Sequence, residues 1–289
     1  MQRAARKTRK IMAENSAISW TRHTWNPWMG CTKVSPACDG CYAEALMDKR
    51  YAKVQWGPHG ERVRTSPHNW NEPLRWQRRA EVDGDRPFVF CASLADIFDN
   101  QVPAQWRADA FDVMRRTSNL VYLLLTKRPQ NIVKLADAAG GLPENAAIGT
   151  SVEDQKRADI NLLALEVAKI ELRPLFTFGS FEPLLGLVVI PPTVMPDWVI
   201  AGGETDQPGH RAREPHPDWF RSLRDQAAAA GVPFHFKQWG SHRLTSDANG
   251  PYMIRAGVKE AGRLLDGNEH NAFPIVSLRA SGTPGHALP

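Results

Sequence analysis

The sequence predicts an α/β fold, a partial, open TIM-like barrel of six to seven parallel strands with outer helices. Three observations predict it. From Phe88 onward, short apolar β-prone runs alternate with helix-like segments, which is how a parallel sheet is built. Each run ends in a cluster of small and polar residues, and in such folds the carboxyl ends of the strands carry the chemistry. A chain of 289 residues, 42% of them hydrophobic, is long enough for one barrel around a buried core.

A basic leader comes first, with Arg3, Arg6, Lys7, Arg9 and Lys10 ahead of Met12. Residues 1–15 are expected to be a disordered tail, whether translation starts at Met1 or at Met12. The β-prone run 17–20 then predicts the first strand, closed by Asn26-Pro27 and Gly30 as breakers. A helix is expected from Tyr42 to about Tyr51. Residues 52–87 are polar and turn-rich, with Trp56, Trp70 and Trp76 among Arg62, Arg64, Arg75 and Arg79. Such a mixture stacks bases and contacts phosphates, or forms a solvated helix and loop whose tryptophans pack on the barrel wall.

Further strands are predicted over 88–91, 121–125, 147–149, 175–178, 198–201 and 233–236, and helices over 104–116, 156–170 and 218–230. The barrel is placed at 16–240. A C-terminal extension follows over 241–289, frayed beyond Ser281.

The net charge of +5 comes from 36 Lys and Arg against 31 Asp and Glu, too mild to establish a nucleic-acid partner. No apolar run approaches the roughly 20 residues that cross a bilayer, and the N-terminus lacks the apolar centre of a secretory signal. The expectation is a cytoplasmic protein without a membrane. Four cysteines in a chain of this size fit a reducing compartment, where clustered thiols serve as ligands rather than disulfides.

Three of those cysteines, Cys31, Cys38 and Cys41, fall within eleven residues, and Tyr42 follows at once. Three is an odd count for a disulfide framework and one short of a closed zinc site, whereas three thiolates on a four-iron cluster leave one iron open. Thiolates suit iron and zinc alike. With Cys91 or His23 as fourth ligand, the same residues could hold a structural zinc. Cys41 falls where the positive end of the following helix favours an anionic thiolate.

The motifs Trp25-Asn-Pro27, Gly30-Cys-Thr-Lys-Val-Ser-Pro36, Cys38-Asp-Gly-Cys-Tyr-Ala-Glu44, Leu125-Thr-Lys-Arg-Pro129, Ser180-Phe-Glu-Pro-Leu-Leu-Gly186, Gly202-Gly-Glu204 and Phe236-Lys-Gln-Trp-Gly240 extend over most of the chain. Together they resemble the phage and bacterial three-Cys-motif family, a group related to the radical S-adenosylmethionine enzymes. Against that wider superfamily, six residues rather than three separate Cys31 from Cys38, and the aromatic follows Cys41 instead of preceding it.

The resemblance implies a 4Fe-4S cluster on Cys31, Cys38 and Cys41, with S-adenosyl-L-methionine on the fourth iron. One-electron cleavage would release a 5′-deoxyadenosyl radical that takes hydrogen from substrate. Tyr42, Lys127, Arg128, Ser151, Glu153, Gly202, Gly203 and Glu204 are then candidates for binding the cofactor, and Asp96, Glu182 and Lys237 for the substrate pocket. A nucleic-acid or nucleotide substrate, for DNA repair or modification, follows from the Trp and Arg mixture and the family's phage association. The resemblance also implies a dedicated protein partner and a reductant such as flavodoxin or ferredoxin. The competing reading is a zinc- or cluster-bearing nucleic-acid-binding protein without turnover.

Overall fold

A computed structural model describes residues 13–248 and 250–276. The leader up to Met12 and the tail from 281 lie outside the described residues. Seven parallel strands form the sheet in chain order: β1 (His23–Thr24), β2 (Phe88–Cys91), β3 (Val121–Thr126), β4 (Ala146–Ser151), β5 (Thr177–Phe181), β6 (Val199–Gly202) and β7 (Phe234–Gln238). Ala13–Glu14, in the stretch expected to be leader, adds an antiparallel edge strand on β1. The strand order runs from that edge to β7 without closing, so the sheet is an open partial barrel.

The outer helices are α1 (Pro67–Asp83), α2 (Ala104–Arg115), α3 (Ile132–Asp137), α4 (Gln155–Leu172) and α5 (Pro217–Ala229). Only a 3-10 turn at Pro192–Val194 separates β5 from β6. Beyond β7 the chain forms a hairpin of His242–Asp247 with Gly250–Arg255 and a short helix at Val258–Ala261.

Alternation along the strands puts successive side chains on opposite faces. Phe90, Val121, Leu123, Ala147, Phe178 and Ile200 fill the inside of the half-barrel together with Trp20 and Trp198. Val89, Cys91, Tyr122, Leu124 and Ile148 have the other parity and pack outward with residues of α2 and α3. Both faces are covered, which is why the strands read as continuous apolar runs.

The first strand differs from the prediction. Residues 17–20 form a turn instead of a strand, and Trp20 turns inward onto Phe90, Phe178 and Trp198. The apolar run there marks an interior plug. The strand itself is His23–Thr24, set by its register on Val89 and Phe90.

Candidate active site at the thiol loop

The loop between β1 and α1 is tied down at both ends. Trp28–Met29 pairs with Val63–Arg64, and a 3-10 turn at Pro36–Cys38 leads to an α-turn at Tyr42–Glu44 that widens into a π-helix over Ala45–Arg50. Cys41 caps that turn, as its position before a run of helix formers predicts. Cys31, Cys38 and Cys41 all line one cavity of about 370 Å³, within the range of small-molecule and cofactor sites. All four cysteines are free thiols. Cys91 is fully buried on the helix-facing side of β2, and the His23 ring stacks on Trp76 with centroids 4.5 Å apart. Neither residue lines the cavity.

Three arginines hold the loop from three directions. Arg128, just past β3, donates to the Cys31 Sγ at 3.5 Å, to the Thr32 carbonyl at 2.8 Å and to Asp96 at 2.9 Å. Arg62 forms a buried pair with Asp99 and donates to the Thr32 hydroxyl at 2.8 Å. Arg213 donates to the Pro36 carbonyl at 2.9 Å, pairs with Asp39 at 3.4 Å and clamps Glu204. Arg62, Asp99 and Arg213 carry no local signal in the sequence, because their partners lie in distant parts of the chain.

The candidate residues separate into two groups. Lys127, Arg128, Ser151, Asp96, Glu182, Lys237, Gly203, Glu204 and Tyr42 line the cavity beside the thiols. Lys127 Nζ lies 3.1 Å from the Ser151 hydroxyl, and Lys237 Nζ lies 2.6 and 2.7 Å from the two Glu182 oxygens. Tyr42 donates its hydroxyl to the Ser93 carbonyl at 2.6 Å. Glu153 and Gly202 stand outside the cavity wall. Glu153 is buried under the loop, accepting from the Ala37 N–H at 3.4 Å, and Gly202 provides the surface on which the Glu182 carboxyl lies. At Gly203 the backbone of Trp239 approaches so closely that a Cβ would meet its carbonyl oxygen at 2.0 Å.

Electrostatics separate the carboxylates. Asp96 accepts from the Phe98 and Lys127 N–H groups at 2.9 and 3.1 Å as well as from Arg128, so its capacity is used within the protein. Glu204 is held below the ordinary carboxylate range: burial acts upward, and the Arg213 fork and His210 outweigh it. Its carboxylate is thus already paired within the protein. Burial pushes the Cys31 thiol up to about 12, aided by Asp96 and opposed by Arg128. Cys41 is also raised by burial, which outweighs the helix-terminal N–H groups around it. Burial thus favours the neutral thiol at both positions, and a metal that binds them displaces protons.

Among the described residues, no three His, Cys, Asp or Glu side chains are gathered as ligands of one ion. Three soft thiols line one cavity, a donor set that suits iron or zinc.

The model of one family, described as a protein of unknown function (DUF5131), matches residues 15–274. The chain belongs to that family. No curated protein matches it. Among solved structures, this DUF5131 chain is similar to spore photoproduct lyase in several forms. A cysteine-to-serine variant matches at 11% identity and TM-score 0.47, over 87% of this chain and 72% of that one. A complex with dinucleoside spore photoproduct gives 11% and 0.47 over 86% and 72%. A double variant with bound AdoMet and the same dinucleoside gives 11% and 0.45 over 86% and 72%. Among the described residues, no helix of the DUF5131 chain is long and apolar enough to cross a membrane.

Proposed function

We propose that this chain is a radical S-adenosylmethionine enzyme. The observation that carries the reading is the meeting of Cys31, Cys38 and Cys41 around one cavity at the carboxyl ends of a parallel half-barrel, with Lys127, Ser151, Glu182 and Lys237 in its walls. The three cysteines would hold a 4Fe-4S cluster. The chemistry that such a cluster and S-adenosylmethionine supply is one-electron cleavage of the sulfonium and hydrogen abstraction from substrate by a 5′-deoxyadenosyl radical.

The chain's own residues position and protect. Arg128 fixes Cys31 and donates toward its sulfur, a contact that stabilises added negative charge on the ligand set. Lys127 and Ser151 present a cation and a hydroxyl side by side, suited to a carboxylate, phosphate or ribose. Ile18, Trp20, Phe90 and Leu125 give the cavity apolar wall that keeps water from a reactive carbon radical. Glu182, Lys237 and Gln238 supply paired donors and acceptors for substrate, for which a nucleic acid or nucleotide is the proposed class. Flavodoxin or ferredoxin is the proposed reductant, and a dedicated protein partner belongs to the same proposal.

The test is anaerobic reconstitution of the wild type and of Cys38→Ala. Brown wild-type protein with about four irons per chain, yielding 5′-deoxyadenosine on reduction, is the expected result. Cys38→Ala should lose both. Colourless wild-type protein holding a single zinc would overturn the reading.

A further inference from the structure

The outer face of α4 carries apolar side chains that the described residues leave largely exposed. Ile160, Leu163, Val167 and Ile170 are 44, 59, 45 and 67% exposed, while Ala158, Leu162, Leu165 and Ala168 on the inner face are buried. A helix that only covers a sheet needs one apolar face; α4 has two. The outer residues step by three, four and three, the spacing of a helix-helix seam. Beside the first turn, the Gln155 side chain binds the backbone of Val189, and Leu187 and Val189, 51 and 59% exposed, widen the patch. Contiguous exposed apolar surface of this kind marks an interaction site.

We propose that this face is a dimer seam on which a second copy of the chain docks, with its α4 antiparallel. The stripe reads the same in both directions, so a twofold axis sets Ile160 against the partner's Ile170 and Leu163 against the partner's Val167. Self-complementarity is what an isologous interface requires. Charges flanking the stripe support the same arrangement. On one flank, antiparallel pairing brings Arg157 to the partner's Glu171, and on the other it brings Asp159 to the partner's Arg173. Each pair occurs twice by symmetry. Among the described residues, the ion pair of Arg157 within its own chain is a 3.7 Å contact to Glu153. Glu166 lies near the axis and meets its own copy, an unfavourable pair.

Two heptads make a short seam, so the dimer dissociates at roughly micromolar concentration. The experiment is sedimentation equilibrium of the full chain from roughly 1 to 100 μM, a range bracketing that affinity. Wild type is expected to shift from monomer to dimer. Leu163→Glu should weaken association at least about 30-fold, the scale of an interface hot spot, without changing the melting temperature of the dilute, monomeric protein. Asp159→Arg should weaken it, and adding Arg173→Asp should restore it. Glu166→Gln should tighten it a few-fold. Wild type that stays monomeric, that pairs through this face only with a different protein, or that forms a dimer indifferent to Leu163→Glu overturns the proposal. So does a charge swap that fails to restore association in a folded protein. None of these readings depends on the cysteine chemistry.

Discussion

Two carboxylate-cation pairs stand in the same cavity and do different work. In the early half of the sheet, Asp96 and Arg128 are 7 and 12% exposed, and each is engaged by the surrounding protein: Asp96 by two backbone N–H groups, Arg128 by Cys31 and Thr32. In the late half, Glu182 and Lys237 are 17 and 22% exposed and hold mainly each other, with Gln238 at 3.2 Å. A saturated pair is a structural joint. A pair that can exchange its partner is a binding element. The first pair holds the thiol loop, and under the proposed function the second is the one that meets substrate.

The sharpest way to break this assignment is Arg128→Gln. It leaves Asp96 buried without its cation and frees the start of the thiol loop. Breaking a buried pair by removing one partner costs about 3–5 kcal/mol. The expected outcome is a large fall in unfolding free energy by urea titration and poor iron retention after reconstitution. Adding Asp96→Asn should return part of the stability, because the uncompensated charge goes with it. Equal losses from the single and double variants would sink the joint.

Each half of the sheet also carries one buried histidine, a third, His242, lying in the hairpin beyond it, and pH compares the first two. Burial, assisted by Arg22, lowers His23 to about 4; burial, assisted by Arg263, lowers His235 to about 4. Both are neutral in the fold, whereas the unfolded chain takes up protons near pH 6.5. Stability is therefore full above about 6.5 and declines as pH falls toward 4, by up to about 1.4 kcal/mol per unit for each histidine. Urea titrations between pH 7.5 and 5, above the ordinary carboxylate range, read this histidine term, with His242, also lowered by burial, adding to it in the same direction. A flat profile there would contradict the burial of both rings.

What the sequence made legible follows from how local each signal is. The apolar run of β3 or β6 and the small polar cluster after it are neighbours in the chain, so the strands and the cavity face could both be read. The bounds of helix α1 within the solvated stretch 52–87 were not legible, because it is polar and carries Pro73 in its middle. Its Pro67 start and the left-handed Gly84 at its end were the available signals. The hairpin beyond Gly240 was missed, since its strands are largely exposed and lack alternation. Arg213 was beyond reach for a different reason: its contact with Pro36 spans 177 residues. The same limit hid the pairing of Glu204, legible as a carboxylate after two glycines but not as one already clamped.

Glu182→Gln tests the other pair more gently. Lys237 keeps partial access to water, so about 1–2 kcal/mol of stability is expected to go. Iron content should match wild type, and turnover of substrate should fall while the cluster stays bound. Loss of iron with Glu182→Gln would make this pair a second joint and erase the distinction between the halves.

The smallest expected effect concerns the place where the late half grips the thiol loop. His210, on the segment after β6, lies so close to Gly40 that a Cβ there would stand 2.5 Å from its ring. The glycine between Cys38 and Cys41 is thus explained by its neighbour. Gly40→Ala should cost about 1 kcal/mol, the low end of overpacking, because the imidazole can swing aside. His210→Ala in the same chain removes the obstruction and should return most of that loss. If it returns none, the glycine answers to its own backbone, and the two halves meet at the loop through Arg213 and Glu204 alone.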